Sequence, residues 1–275
     1  MEIEERNPFY EVKVEKLMTE SGLEVNKNVL VNSETDDIVG LVSPNYDVVT
    51  NKTVADLFHG ALKDVGIKSV INHMDGTTKR WKQFIVLSDK MKYEIAPGDS
   101  VSICLAIHNG YDARTAYGYS LMGYRWLCKN GMVMGRKKLF SDSFTHYDGN
   151  FFKLRDSFEL KFDLFKNNAL TWGKWAGKKF DKGNFIMFLD NHTKPVEAKA
   201  KKHQYITPKI AQGIKDSYYP LLERQHLSED MWGSFNVLTY IATHETKARK
   251  GSNVFSNRYN NINRLAGDFY TWVKE

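Results

Sequence analysis

Apolar and polar positions along the chain change period several times, and each change marks an element. Ile38–Val42 and Tyr46–Thr50 are rich in β-branched residues and flank the turn signal Ser43-Pro44-Asn45, which predicts a strand pair. From Lys52 to Val65 the apolar residues Val54, Leu57, Phe58, Ala61, Leu62 and Val65 recur at helical spacing. Asn51 is the expected N-cap and Gly66 the expected stop. A β-meander follows, with strands at Gln83–Ser88, Ser100–His108 and Thr115–Cys128. Its turns fall at Ala96-Pro97-Gly98-Asp99 and Asn109-Gly110-Tyr111-Asp112, and Asn130-Gly131 breaks the pattern.

Helical spacing returns at Phe158–Asn168. Three further helices are predicted at Pro208–Arg224, Ser228–Lys247 and Ser256–Val273. Pro208 suits a first helical turn, and Glu229 with Asp230 suits a helix N-terminus. Thr171–Lys202 shows no clean period and reads as a loop or irregular insertion, with one short apolar run at Phe185–Leu189. The expected fold class is α+β: an antiparallel β-meander sheet with helices packed on it and a helical C-terminal region. The expected organisation is an acidic lead-in over 1–36 and a single domain over 37–275, with a basic insertion at about 171–205.

Charge changes this picture more than composition does. The net charge of +6 conceals 5 Lys/Arg against 12 Asp/Glu in residues 1–60, and 34 against 21 in residues 61–275. Between Met122 and Lys202 the count is 17 against 8. Such a block attracts polyanions and predicts salt-sensitive binding. No apolar run approaches the roughly 20 residues of a membrane helix, and the acidic N-terminus is unlike a signal peptide. Cys104 and Cys128 read as buried reduced thiols, as expected in a cytoplasm.

The chemistry expected is binding. Alternation along Thr115–Cys128 places Tyr117, Tyr119 and Arg125 on one face, where they offer a stacking and phosphate-contacting platform. Arg80, Trp81 and Lys82 form a cation–aromatic–cation triplet, and Lys129, Arg136, Lys137 and Lys138 form a basic cluster near flexible glycines. The same residues have an ordinary reading, as core aromatics and exposed basic turns. None of the eight histidines falls in a metal-binding pattern, and nucleotide-binding glycine motifs and nucleophile elbows are missing. No cofactor, metal or catalytic residue is expected. A metal-dependent nuclease using Asp99, Asp112 or Asp142 has nothing in its spacing to favour it.

Four runs, SPNYDVVTNKTV, NGYDARTAYGYS, RWLCKNGM and DMWGSFNVLTYIATH, together resemble a phage- and plasmid-associated family labelled a domain of unknown function. The resemblance covers roughly Ile38 to Trp272. Its Y-x-V-V-x-N segment matches Tyr46, Val48, Val49 and Asn51, and its C-x-N segment matches Cys128 and Asn130. Its W-x-x-x-N-x-x-T-x-Y helix matches Trp232, Asn236, Thr239 and Tyr240. The family implies a mobile-element setting in a bacterial cytoplasm. A more distant resemblance to phage single-strand-annealing recombinases implies single-stranded DNA as partner, homo-oligomers and annealing in recombination or replication. The competing expectation is a non-enzymatic protein that binds or inhibits a host complex, for example one of defence.

Overall fold

The computed structural model describes residues 7–126, 130–133, 140–147, 151–195, 204, 206–245 and 257–273. It is α+β. Among the described residues the strands are β1 (Val12–Met18), β2 (Glu24–Asn32), β3 (Ile38–Val42), β4 (Ser69–Thr77), β5 (Arg80–Leu87), β6 (Lys92–Ala96), β7 (Asp99–Gly110), β8 (Tyr117–Arg125), β9 (Asn130–Val133) and β10 (Ser141–Phe144). The helices are α1 (Asn51–Asp64), α2 (Phe151–Gly173), α3 (Lys182–His192), α4 (Pro208–Arg224), α5 (Met231–Tyr240) and α6 (Asn257–Trp272). One sheet has the order β1-β2-β3; the other runs β10-β8-β7-β5-β4, with β6 on β7 and β9 on β8. The chain divides into two compact units: Met1–Leu87, Leu105–Ser120 and Ser141–Lys161 form the first, and Ser88–Cys104, Leu121–Phe140 and Phe162–Glu275 the second.

In the first unit, the stretch read as a polar lead-in contains two strands. β1 and β2 pair antiparallel from Val12↔Asn32 to Met18↔Glu24. Gly22, at φ +81°, closes their turn by donating its N–H to the Thr19 carbonyl at 2.9 Å. The strand signal was hidden because β1 is exposed over most of its length and interleaves Lys13, Glu15 and Lys16 with its apolar residues. β3 pairs with β2, so the expected pairing of Ile38–Val42 with Tyr46–Thr50 does not form. Gly40 permits this arrangement: a Cβ there would lie 1.9 Å from the Tyr111 carbonyl oxygen.

Tyr46–Thr50 is instead an irregular segment held by side chains. Tyr46 Oη donates to the Gly110 carbonyl at 3.2 Å, and Asn109 Nδ2 donates to the Val49 carbonyl at 2.8 Å. α1 begins where expected, but its cap is Thr50, whose hydroxyl accepts from Thr53 N–H at 3.1 Å. Asn51 is buried: its Nδ2 donates to the Pro8 carbonyl at 2.7 Å, and its Oδ1 accepts from Asn109 at 3.0 Å. Gly66, at φ +68°, follows the helix as its spacing predicted.

In the second unit, β6 and β7 pair around the expected turn, with Ala96 opposite Asp99. Asn130-Gly131 does not end the meander; it starts β9, which returns along β8 with Arg125 opposite Asn130. The segment read as an irregular insertion supplies core. Trp172, Trp175, Phe180, Phe185, Phe188 and Leu189 are all buried, and Lys182–His192 is helical behind an Asp181 cap. α4 spans the predicted residues, with Thr207 as cap and Pro208 in the first turn. α5 is capped by Asp230, is buried from Met231 to Thr239, and packs against α4 and α6. No helix among the described residues is long and apolar enough to cross a membrane.

Candidate nucleic-acid interface

Tyr117 and Tyr119 lie in the first unit and Arg125 in the second, and all three are buried. Tyr119 donates or accepts a 2.9 Å hydrogen bond with the Ser157 hydroxyl and stands edge-on to Phe58 and Phe158. Tyr117 packs against Phe144 and His146. Trp81 is buried edge-on to Phe9 at 5.5 Å. The open platform is therefore corrected: strand alternation separates two faces, but both faces of β8 are covered. Arg80 is exposed and ion-paired with Asp112, and Lys82 is half-buried on β5. Lys129, Arg136, Lys137 and Lys138 lie outside the described residues.

Arg125 belongs to a buried network in the second unit. Its Nε donates to both carboxylate oxygens of Asp99, at 2.7 and 2.9 Å. Its Nη1 and Nη2 donate to the side-chain and backbone oxygens of Gln225, at 3.2 and 3.4 Å. Trp232 Nε1 completes the shell of Asp99 at 2.8 Å. Asn236 Nδ2 donates to the Trp232 carbonyl, and Thr239 Oγ1 to the Asn236 carbonyl. The Trp232–Thr239 pattern thus builds the interior of α5.

Tyr46, Asn51 and the Asn109–Asp112 run meet in the first unit. Asn51 N–H donates to Tyr111 Oη at 2.8 Å. Burial pushes the Tyr111 hydroxyl up to about 12, against the opposing pull of that Asn51 N–H. Burial also raises Asp112, but hydrogen bonds from Arg80 and from the backbone of Arg114 and Thr115 prevail and hold it below its usual range. The His146 ring stacks on Tyr46 at 4.6 Å and 12°, with Nδ1 3.1 Å from the Asp47 carbonyl and Nε2 buried without a partner among the described residues.

Burial lowers the pKa of His146, opposed by the hydrogen bond to Asp47 and by the charges of Asp47 and Asp112. Below the ordinary value of about 6.5, the unfolded chain therefore takes up a proton that the folded chain resists. Stability is fully present above that value and falls as pH drops toward the lowered folded pKa. Urea midpoints at successive pH values are expected to fall more steeply in the wild type than in His146→Phe, which keeps a ring and removes the titration. Equal slopes would show that His146 does not contribute.

The exposed basic feature lies elsewhere, in the turn joining α2 to α3. Lys174, Lys178 and Lys179 are exposed, while Trp172 before them and Trp175 between Lys174 and Lys178 are buried. Trp175 packs on Phe235 and Tyr270 at 5.4 and 5.1 Å. Asp230 fixes the turn: Oδ2 accepts from Gly177 N–H at 2.8 Å, while Oδ1 caps α5 through Gly233 N–H at 2.7 Å. Met231 N–H donates to the Lys178 carbonyl at 3.0 Å. Lys182 Nζ stands 4.6 Å over the ring of exposed Tyr219, a cation–aromatic pair beside the same turn.

By sequence these lysines fall in a segment that reads as a basic insertion. The usable signal was the interleaving in Trp172-Gly-Lys-Trp-Ala-Gly-Lys-Lys179, where large apolar anchors alternate with cations. Among the described residues, no three His, Cys, Asp or Glu side chains gather as a metal site.

A family model described as a domain of unknown function (DUF932) matches residues 38–265. No curated protein and no solved structure matches the chain.

Proposed function

We propose that this chain, which belongs to the DUF932 family over residues 38–265, is a non-enzymatic nucleic-acid-binding protein of a mobile element. Its preferred ligand is single-stranded DNA, which it holds for annealing as a homo-oligomer in a bacterial cytoplasm. The observation that carries the reading is the turn bearing Lys174, Lys178 and Lys179, pinned by Asp230 and backed by buried Trp172 and Trp175. Cations on a fixed backbone lose little freedom when they meet phosphates, and each contact releases counterions. The Lys182–Tyr219 pair adds a ring on which a base can stack.

The test is binding of a fluorescent single-stranded oligonucleotide, against matched duplex, over a salt series. Lys174→Ala/Lys178→Ala/Lys179→Ala is expected to weaken binding and to flatten the log–log salt slope by about 2, at roughly 0.7 per lost single-strand phosphate contact. An unchanged slope in the folded triple variant would remove this surface from the interface. A companion Arg136→Ala/Lys137→Ala/Lys138→Ala variant reads the basic cluster flagged by the sequence.

A protein partner is the second reading. It is favoured by the exposed apolar side chains Val14, Met18, Leu23, Ile38 and Leu41 on the three-stranded sheet and its turn. No binding to either form of DNA at low salt would overturn the first reading in favour of this one.

A further inference from the structure

A cleft of about 460 Å³ opens in the first unit beside the last turn of α1. That size is within the range of about 300–1,000 Å³ typical of small-molecule sites. Its polar lining consists of His59, Lys63, Lys68 and Ser69, with no carboxylate among them. Leu62 and Ile67, both buried, form apolar wall. Lys63 and Lys68 are exposed, and neither is ion-paired with a carboxylate among the described residues. The adjacent Asp64 is instead bonded to Arg155 Nη2 at 2.9 Å, and Arg155 also holds Glu159.

A helix C-terminus ordinarily repels anions, through its unpaired carbonyls. Here the last turn is closed. Val65, Gly66 and Ile67 N–H donate to the carbonyls of Ala61, Lys63 and Leu62 at 3.4, 2.9 and 2.9 Å. Gly66 makes this closure possible at φ +68°, and a Cβ placed there would meet no atom within 4 Å, so the rim is open.

Behind the cleft, Gln83 is 2% exposed and orients the imidazole. Its Nε2 donates to Asn72 Oδ1 at 2.7 Å and faces His59 Nε2 at 3.3 Å. Gln83 Oε1 is buried without a partner among the described residues, so this amide is turned to position the histidine at the expense of its own acceptor.

We propose that this cleft binds a phosphate-bearing ligand of nucleotide size. Lys63, Lys68 and Ser69 hold the phosphate, and the His59 ring with Leu62 and Ile67 receives the base. The assignment goes beyond strand binding, because it concerns a different surface and a soluble ligand.

The test follows the His59 imidazole resonances of the full chain by NMR, assigned with His59→Gln. Adenosine 5′-monophosphate, adenosine and inorganic phosphate are titrated separately. The nucleotide is expected to give a saturable shift, and adenosine and phosphate to bind about tenfold more weakly or worse. Lys63→Ala/Lys68→Ala is expected to weaken the nucleotide by about tenfold, while the Lys174/Lys178/Lys179 triple variant leaves it unchanged. The proposal is overturned by no saturable shift at millimolar nucleotide, by equal binding in Lys63→Ala/Lys68→Ala, or by inorganic phosphate binding as tightly as the nucleotide. Loss of the shift in the Lys174/Lys178/Lys179 variant would overturn it as well, by placing the ligand on the other basic surface.

Discussion

Arg125→Ala is expected to destabilise the protein by about 3–5 kcal/mol, the usual cost of removing one partner of a buried ion pair. Arg125 has a fully buried side chain and Asp99 is 6% exposed, so deletion strands a carboxylate in the interior with, among the described residues, the Trp232 indole to satisfy it. Lysine is no substitute. The guanidinium bonds Asp99 through Nε and Gln225 through both terminal nitrogens, a fork that one ammonium cannot reproduce. Replacing Asp99 and Arg125 together by leucine and methionine is expected to recover much of the loss, because no buried charge is left behind. Urea denaturation of the wild type, Asp99→Leu, Arg125→Met and the double variant forms the cycle, with Arg125→Ala measured beside them. A loss under about 1 kcal/mol for Arg125→Ala would contradict the buried pairing. The same variant separates two roles for this residue: a phosphate ligand would lose DNA affinity at unchanged stability, whereas the buried network predicts the reverse order of effects.

Trp172→Ala is the second large effect, expected at about 3–5 kcal/mol, as for other buried aromatic truncations. Its indole is fully buried and meets the rings of Phe165, Trp232 and Phe235 at 6.0, 6.0 and 6.3 Å. It lies so close to β8 that a Cβ on Gly123 would come within 2.5 Å of its Cη2. The indole N–H has no partner among the described residues, so Trp172→Phe gives up volume without breaking any hydrogen bond to them and is expected to cost markedly less. A residue on a peripheral insertion would change stability by no more than about 0.5 kcal/mol when truncated. A value that small for Trp172→Ala would restore the insertion reading of this segment. Because Lys174 follows two residues later, the truncation is also expected to loosen the basic turn and weaken strand binding.

The candidate interface was legible in part. Charge counts mark the basic half of the chain, and the Trp–Lys interleaving is visible in it. Which aromatics face water was not visible. Tyr117 and Tyr119 alternate in the manner of an exposed platform, yet Tyr119 is covered by Phe58 and Phe158, 61 and 39 positions away. Arg125 resembles a phosphate ligand in sequence until Gln225, 100 residues on, closes over it. Local alternation reports that a strand has two faces; only distant elements decide whether either stays open.

What the sequence determined by itself were elements whose signals are local. α4 carries its own cap at Thr207, its Pro208 in the first turn and buried residues at helical spacing, so its bounds were read correctly. The meander was legible because apolar strands alternate with turn residues, and the α+β class followed. Tertiary structure decided the rest. It turned the charged segment Val12–Met18 into an edge strand, because an exposed strand needs backbone pairing and not an apolar period. It made core of Trp172–Leu189, because aromatic rings brought against Phe235, Phe269 and Tyr270 gain burial that no local pattern announces. It also gave one carboxylate, Asp230, both a helix to cap and a basic turn to hold, since each oxygen finds its N–H donor only after the chain has folded back.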